Sequence, residues 1–115
     1  MLDPRRYYDL EGYLFDEVGP RFHEQGWLSA FDFFSIVIWK SNRSKSYIAK
    51  KILRIAEDGS DLDAAAIQMT SAIASAGTDE DRFRVLFKGW EMPLPMTSAI
   101  LTVLYPDDLD RKSVV

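Results

Sequence analysis

The chain contains no cysteine, so disulfides and thiolate metal sites are excluded. It contains one histidine, His23, so no histidine metal cluster or local histidine relay is encoded. His23 sits in an acidic turn, Phe22-His23-Glu24, and reads as an exposed structural residue. Long apolar runs are also missing. The longest, Phe33 to Trp39, is broken by Ser35 and is far too short to span a bilayer. The opening Met1-Leu2-Asp3-Pro4-Arg5-Arg6 lacks the apolar stretch of a signal peptide. Internal repeats, low-complexity tracts and linkers are absent too. These absences lead to the expectation of a cytoplasmic protein with no membrane partner and no cofactor.

What remains is a chain of 115 residues, 47% hydrophobic and 13% aromatic, which fits one folded domain. Its net charge of −4 argues against bulk attraction to nucleic acid. The distribution of charge says more. Between Phe33 and Ala56 there is no acidic residue but six basic ones: Lys40, Arg43, Lys45, Lys50, Lys51 and Arg54. Acidic residues collect in residues 3–32 and 57–81. A basic segment in an acidic chain reads either as a binding face or as a solvated helix face balancing its neighbours.

Glycine and proline divide the chain into helical segments. Asp3 and Pro4 suit the start of a first helix running to about Val18, with Tyr7, Leu10, Leu14 and Val18 at helical spacing. Gly19-Pro20 is expected to end or kink it, leaving a short turn from Arg21 to Gln25 and a stop at Gly26. Ser29 with Asp32 three residues on has the pattern of a capping box. The helix it opens carries Phe31, Phe33, Phe34, Val37 and Ile38, apolar nearly all round, as at the centre of a bundle. A buried strand over Phe33–Trp39 is the alternative, but the chain offers no partner strand.

After a break at residues 41–44, a helix from about Lys45 to Glu57 turns Ile48, Ile52, Ile55 and Ala56 inward and Lys45, Lys50 and Arg54 outward. Ser60 or Asp61 caps the next, whose stripe is Leu62, Ala65, Ala66, Met69, Ile73 and Ala76. Gly77 stops it, and Thr78 caps a helix through Phe83, Leu86 and Phe87. A tight connection at residues 88–94 leads to a last helix, opened at Pro95 and running from Met96 to about Tyr105 before Pro106. The predicted fold is all-α, a small bundle of five to seven helices.

No nucleophile and base are readable as a pair. Asp61 and Asp63, or Asp79, Glu80 and Asp81, stand in first helical turns, where carboxylates complement the helix dipole. Trp39 and Trp90 read as packing residues. Trp90, in the connection between two helices, also has the placement of an aromatic surface for a base or sugar.

Residues 1–109 read as the helical domain, incomplete at its C-terminal end. The last six, Asp110-Arg111-Lys112-Ser113-Val114-Val115, add no periodic apolar face and look like a translated sequencing adapter, a non-native tail. On that reading the chain is a truncated fragment. Its last helix should then expose an apolar patch of Ile100, Leu101, Val103 and Leu104, and it should be only marginally stable.

Leu86-Phe87-Lys88-Gly89, then Leu94-Pro95-Met96-Thr97-Ser98-Ala99-Ile100-Leu101, then Leu104-Tyr105-Pro106-Asp107 resembles the helix-hairpin-helix of the DNA glycosylase superfamily. It looks most like an uncharacterised bacterial branch whose second hairpin helix carries a Leu-Pro-x-x-Ser-Ala-Ile-Leu run. Ile36-Val37-Ile38-Trp39-Lys40 followed by Arg43 also looks like that branch, so the resemblance covers about residues 30–109. It implies that the hairpin and the start of the second helix meet a DNA phosphate, since a helix N-terminus offers unpaired donors and partial positive charge.

Three departures accompany it. The family's Gly-apolar-Gly hairpin is matched by Glu91, Met92 and Pro93, making the hairpin degenerate. The lysine of lyase-active members is matched by Pro95, so Schiff-base chemistry is not expected. The family's essential aspartate lies beyond Tyr105-Pro106-Asp107-Asp108-Leu109, and no residue here fills its role. The resemblance implies a DNA-binding fragment of a base-excision-repair type protein, catalytically incomplete as given. The full-length protein would be a glycosylase-like hydrolase. The implied partner is duplex DNA, held through phosphates by Lys40, Arg43, Lys45, Lys50, Arg54, Lys88, Gly89, Thr97 and Ser98. The alternative is a helical protein-interaction module that binds no nucleic acid.

Overall fold

The computed structural model describes residues 10–57 and 61–106. The chain is all-α: among the described residues there is no strand. Residues 10–13 are helical and enter a π turn at Leu14–Val18. The helices that follow are α1 (Gly19–Gln25), α2 (Ala30–Ser41), α3 (Lys45–Ile55), α4 (Leu62–Ser75), α5 (Asp79–Arg84) and α6 (Leu94–Leu104). A 3₁₀ turn at Asn42–Ser44 joins α2 to α3, and a second π turn at Val85–Gly89 follows α5. None of these helices is long and apolar enough to cross a membrane. The proposed tail at residues 110–115 lies outside the described residues, as do Asp3, Pro4, Tyr7 and Ser60.

Several helix ends form where their local chemistry predicts. Gly26, at φ 83°, closes α1 in the left-handed region that glycine adopts without strain. The Thr78 hydroxyl accepts from the Asp81 N–H at 3.1 Å, and the Asp61 carboxylate accepts from the Asp63 N–H at 3.0 Å. Ser29 accepts from the Asp32 N–H at 3.4 Å, but the second half of a capping box is not made. Asp32 turns its carboxylate to Tyr13 and Arg21 instead. The start of α2 is met by Asp63, whose carboxylate accepts from the Ala30 N–H at 2.7 Å.

Gly19-Pro20 does not end the first helical path, and residues 21–25 are helical rather than a loose turn. The π turn explains why. The Gly19 N–H bonds to the Leu14 carbonyl, five residues back, so the turn is widened just before Pro20, which has no N–H to give. Gly19 is also where this path meets α6: a β-carbon there would stand 3.0 Å from the Val103 carbonyl oxygen.

The core runs between α2, α4 and α6. Phe33, Ile36 and Val37 from α2 are wholly buried, as are Ala65, Ala66, Met69 and Ile73 from α4, with Ile48 and Ile52 entering from α3. Thr70 sits among them with its hydroxyl fully used, accepting from the Leu28 N–H and donating to the Ala66 carbonyl, both at 2.8 Å. Two expectations are corrected. The α2 helix is not buried all round: Phe31 is 74% and Ile38 41% exposed, because its neighbours cover only one side. Ile100, Leu101, Val103 and Leu104 form no exposed patch. All four are buried, since α6 packs on α1, α2, α5 and the first π turn.

Candidate nucleic-acid interface

The sequence of α3 sets its two sides. Ile48 and Ile52, one helical turn apart, go into the core. Tyr47, Lys50, Lys51 and Arg54, at spacings of three and four, fall together on another face. With Glu91 from the connection between the second π turn and α6, the hairpin of the sequence reading, they line a surface depression of about 310 Å³. Three cations therefore face one carboxylate.

Glu91 is positioned by how the hairpin closes. The Trp90 N–H bonds to the Val85 carbonyl and the Met92 N–H to the Leu86 carbonyl, each at 3.0 Å. This is a widened form of the usual helix-end closure, and it forces the residue between them, Glu91, into the left-handed region at φ 54°. Glycine is the residue that tolerates that conformation best. Glu91 is held there by α3: Lys51 Nζ donates to its backbone carbonyl at 2.7 Å, and Arg54 pairs with its carboxylate at 3.1 Å. Lys51 also donates to the Tyr47 hydroxyl and lies 4.4 Å from the centre of that ring.

Of the candidate contacts read from the sequence, Lys50 and Arg54 are brought together. Lys45 is exposed but apart from them, since five residues of α-helix put it about 140° round from Lys50. Lys40 and Arg43 are exposed at the end of α2 and in the 3₁₀ turn, and Lys88 and Gly89 in the second π turn; none lines the depression. Among the described residues, Lys40, Arg43, Lys45, Lys50 and Lys88 form no ion pair.

The start of α6 offers less than expected. Pro93 and Pro95 lack N–H groups, and the Thr97 N–H is already bonded to the Pro93 carbonyl. Thr97 is wholly buried and its hydroxyl donates to the Met92 carbonyl at 3.3 Å, so it presents nothing to a phosphate. Ser98 is exposed. Trp90 is 6% exposed and packs in the core rather than offering a stacking surface.

Two sets of residues were not among the candidate contacts read from the sequence. Tyr47 and Lys51 belong to the depression, and their spacing of four, repeated by Lys50 and Arg54, is the signal that points to them. The second set is the group around Asp32, a carboxylate 6% exposed that binds both Tyr13 and Arg21. The Tyr13 hydroxyl is raised above its ordinary pKa of 10.0, first by its bond to Asp32 and then by burial. Arg21 is raised as well, by its bonds to Tyr13 and Asp32. His23 is exposed as expected, but not idle: its Nε2 donates to the Leu104 carbonyl, tying α1 to the end of α6.

Among the described residues no group of three or more histidine or acidic side chains comes together as a metal site. Comparison with protein-family models, with characterised proteins and with solved structures finds no match for this chain.

Proposed function

We propose that the chain binds the phosphate backbone of duplex DNA, as the helical part of a glycosylase-like protein. The observation that carries this reading is the fate of the acid-free stretch between Phe33 and Ala56. Five of its six basic residues are exposed, and Lys50 and Arg54 converge with the half-buried Lys51 on one depression. Clustered cations on one helix face are the usual footprint of backbone binding, which is independent of sequence and strongly dependent on salt. The contact surface is α3 rather than the start of α6, whose donors are depleted by two prolines. The link to glycosylases rests on the hairpin resemblance alone.

The test is a titration of a short duplex of arbitrary sequence at two salt concentrations. Binding weakens as salt rises, and each phosphate contact contributes about one unit to the slope of log affinity against log salt. Lys50→Glu with Arg54→Glu lowers affinity for all sequences alike and flattens that slope by about two units. Absence of binding at low salt rejects the proposal.

A second reading, a helical protein-interaction module without nucleic-acid binding, has support of its own. Phe31 and Ile38, seven residues apart on α2, present an apolar edge to solvent. It is favoured if the duplex fails to bind and Phe31→Ser abolishes capture of a protein partner.

A further inference from the structure

We propose that the depression between α3 and the hairpin is a subsite for one phosphate group, and that the Glu91 carboxylate is the internal anion this phosphate displaces. The inference rests on the phosphate-binding reading above and specifies where and how one contact is made.

Three features support it. First, Arg54 already holds an anion. A guanidinium fork donates to carboxylate and phosphate oxygens with the same geometry, so the Glu91 carboxylate, 3.1 Å from Arg54, stands where a phosphate oxygen would. Second, that anion is replaceable. Both partners are more than half exposed, and exposed ion pairs are weak.

Third, the rest of the site does not depend on the carboxylate. Lys51 is held by the Tyr47 hydroxyl and by the backbone carbonyl of Glu91, so its charge stays in place when the side chain leaves. The Glu91 backbone is fixed by the bonds of Trp90 and Met92, so the side chain can swing out without opening the hairpin. Lys50 lines the same space and has no ion-pair partner among the described residues. The volume, about 310 Å³, lies at the lower end of small-ligand sites, enough for a phosphate and an attached sugar.

The device makes the site selective. A lone anion must compete with Glu91, whereas a phosphate delivered by a polymer already held by other cations competes with help. Free phosphate should therefore bind weakly and a duplex better.

The experiment uses the whole chain in two arms. In the first, ¹⁵N-labelled protein is titrated with sodium phosphate at constant ionic strength, reading the Lys50, Lys51 and Arg54 amides and the Arg54 Nε–H. In the second, a short fluorescent duplex is followed by anisotropy. Wild type, Glu91→Gln, Glu91→Gly and Lys51→Met are compared. Phosphate shifts those signals, Glu91→Gln tightens phosphate about fivefold by removing one like charge, and Lys51→Met abolishes the shifts. Glu91→Gly gives the same gain, with a backbone better suited to the left-handed turn.

No shift at these residues, or equal phosphate affinity in wild type and both Glu91 variants, overturns the inference. If phosphate behaves as expected but no variant binds the duplex, the subsite stands and the DNA reading fails. If the duplex binds and the Glu91 variants change neither arm, the DNA reading stands and the subsite fails.

Discussion

The Tyr13 hydroxyl donates a 2.6 Å hydrogen bond to Asp32, nineteen residues further along the chain, and Arg21 binds the same carboxylate from the following helix. A carboxylate this buried is stable only with such partners. The group fastens the first helical path to α2.

The first prediction follows from that bond. Asp32→Asn lowers stability by about 2 kcal/mol, and Tyr13→Phe by about 1–2 kcal/mol, as expected for hydrogen bonds involving a charged group. The double variant loses less than the sum, because Tyr13→Phe removes the shared bond and Asp32→Asn already weakens it by making the acceptor neutral. Urea unfolding of the four proteins measures this; additive losses would show that the two side chains act independently.

A pH dependence follows as well. The pKa of Tyr13 is raised in the folded chain, so the folded state keeps this proton more tightly than the unfolded state. The contribution is complete below the unfolded value, near pH 10, and is lost as the pH rises through the higher folded value. The stability gap between wild type and Tyr13→Phe should be constant from pH 7 to 9 and shrink above about pH 10. A gap that widens in alkali contradicts the assignment.

Gly19→Ala is expected to cost about 1–3 kcal/mol, the usual penalty of overpacking. The new methyl group would stand 3.0 Å from the Val103 carbonyl oxygen, so α6 and the first helical path must part. Gly77→Ala is the control, since nothing lies within 4 Å of the added carbon. Equal melting temperatures for the two variants would refute the close approach.

Thr70→Val keeps the shape but removes the acceptor for the Leu28 N–H. A buried donor left unpaired costs about 1–3 kcal/mol, so this variant should melt lower despite its more apolar side chain. Thr70→Ser, which retains the oxygen, should lose less. The order of melting temperatures, wild type above Ser above Val, is the readout.

The parts of this architecture that could be read from the sequence are the local ones. Ser29, Thr78 and Asp61 cap their helices through bonds to residues two or three positions away, and Gly26 stops α1 by its own backbone freedom. The stripe on α4 was legible because Ala65, Met69 and Ile73 repeat at one period. What escaped depends on distance or on breaking a local rule. Asp32 obeys its capping partner only in part because Tyr13 and Arg21 are better ones, and neither is a sequence neighbour. Lys51 meets Glu91 across forty residues. The burial of Ile100 and Leu104 depended on how many helices surround α6, which periodicity does not report. Gly19-Pro20 read as an end or a kink because that rule assumes regular spacing, and the π turn before it is not regular.

That irregularity has a consequence for related chains. A π turn carries one more residue than an α-turn would, so it shifts the phase of the helix by about 100°. Residues before and after it belong to different angular frames, as if two helices had been spliced end to end. A relative missing one residue within 14–18 or 85–89 would close the wide turn into an ordinary one and keep both flanking helices. The same deletion in the middle of α2 or α4 would rotate one half of a buried stripe out of the core. Length variation should therefore concentrate at these two splices, and an aligned family would show its single-residue gaps there.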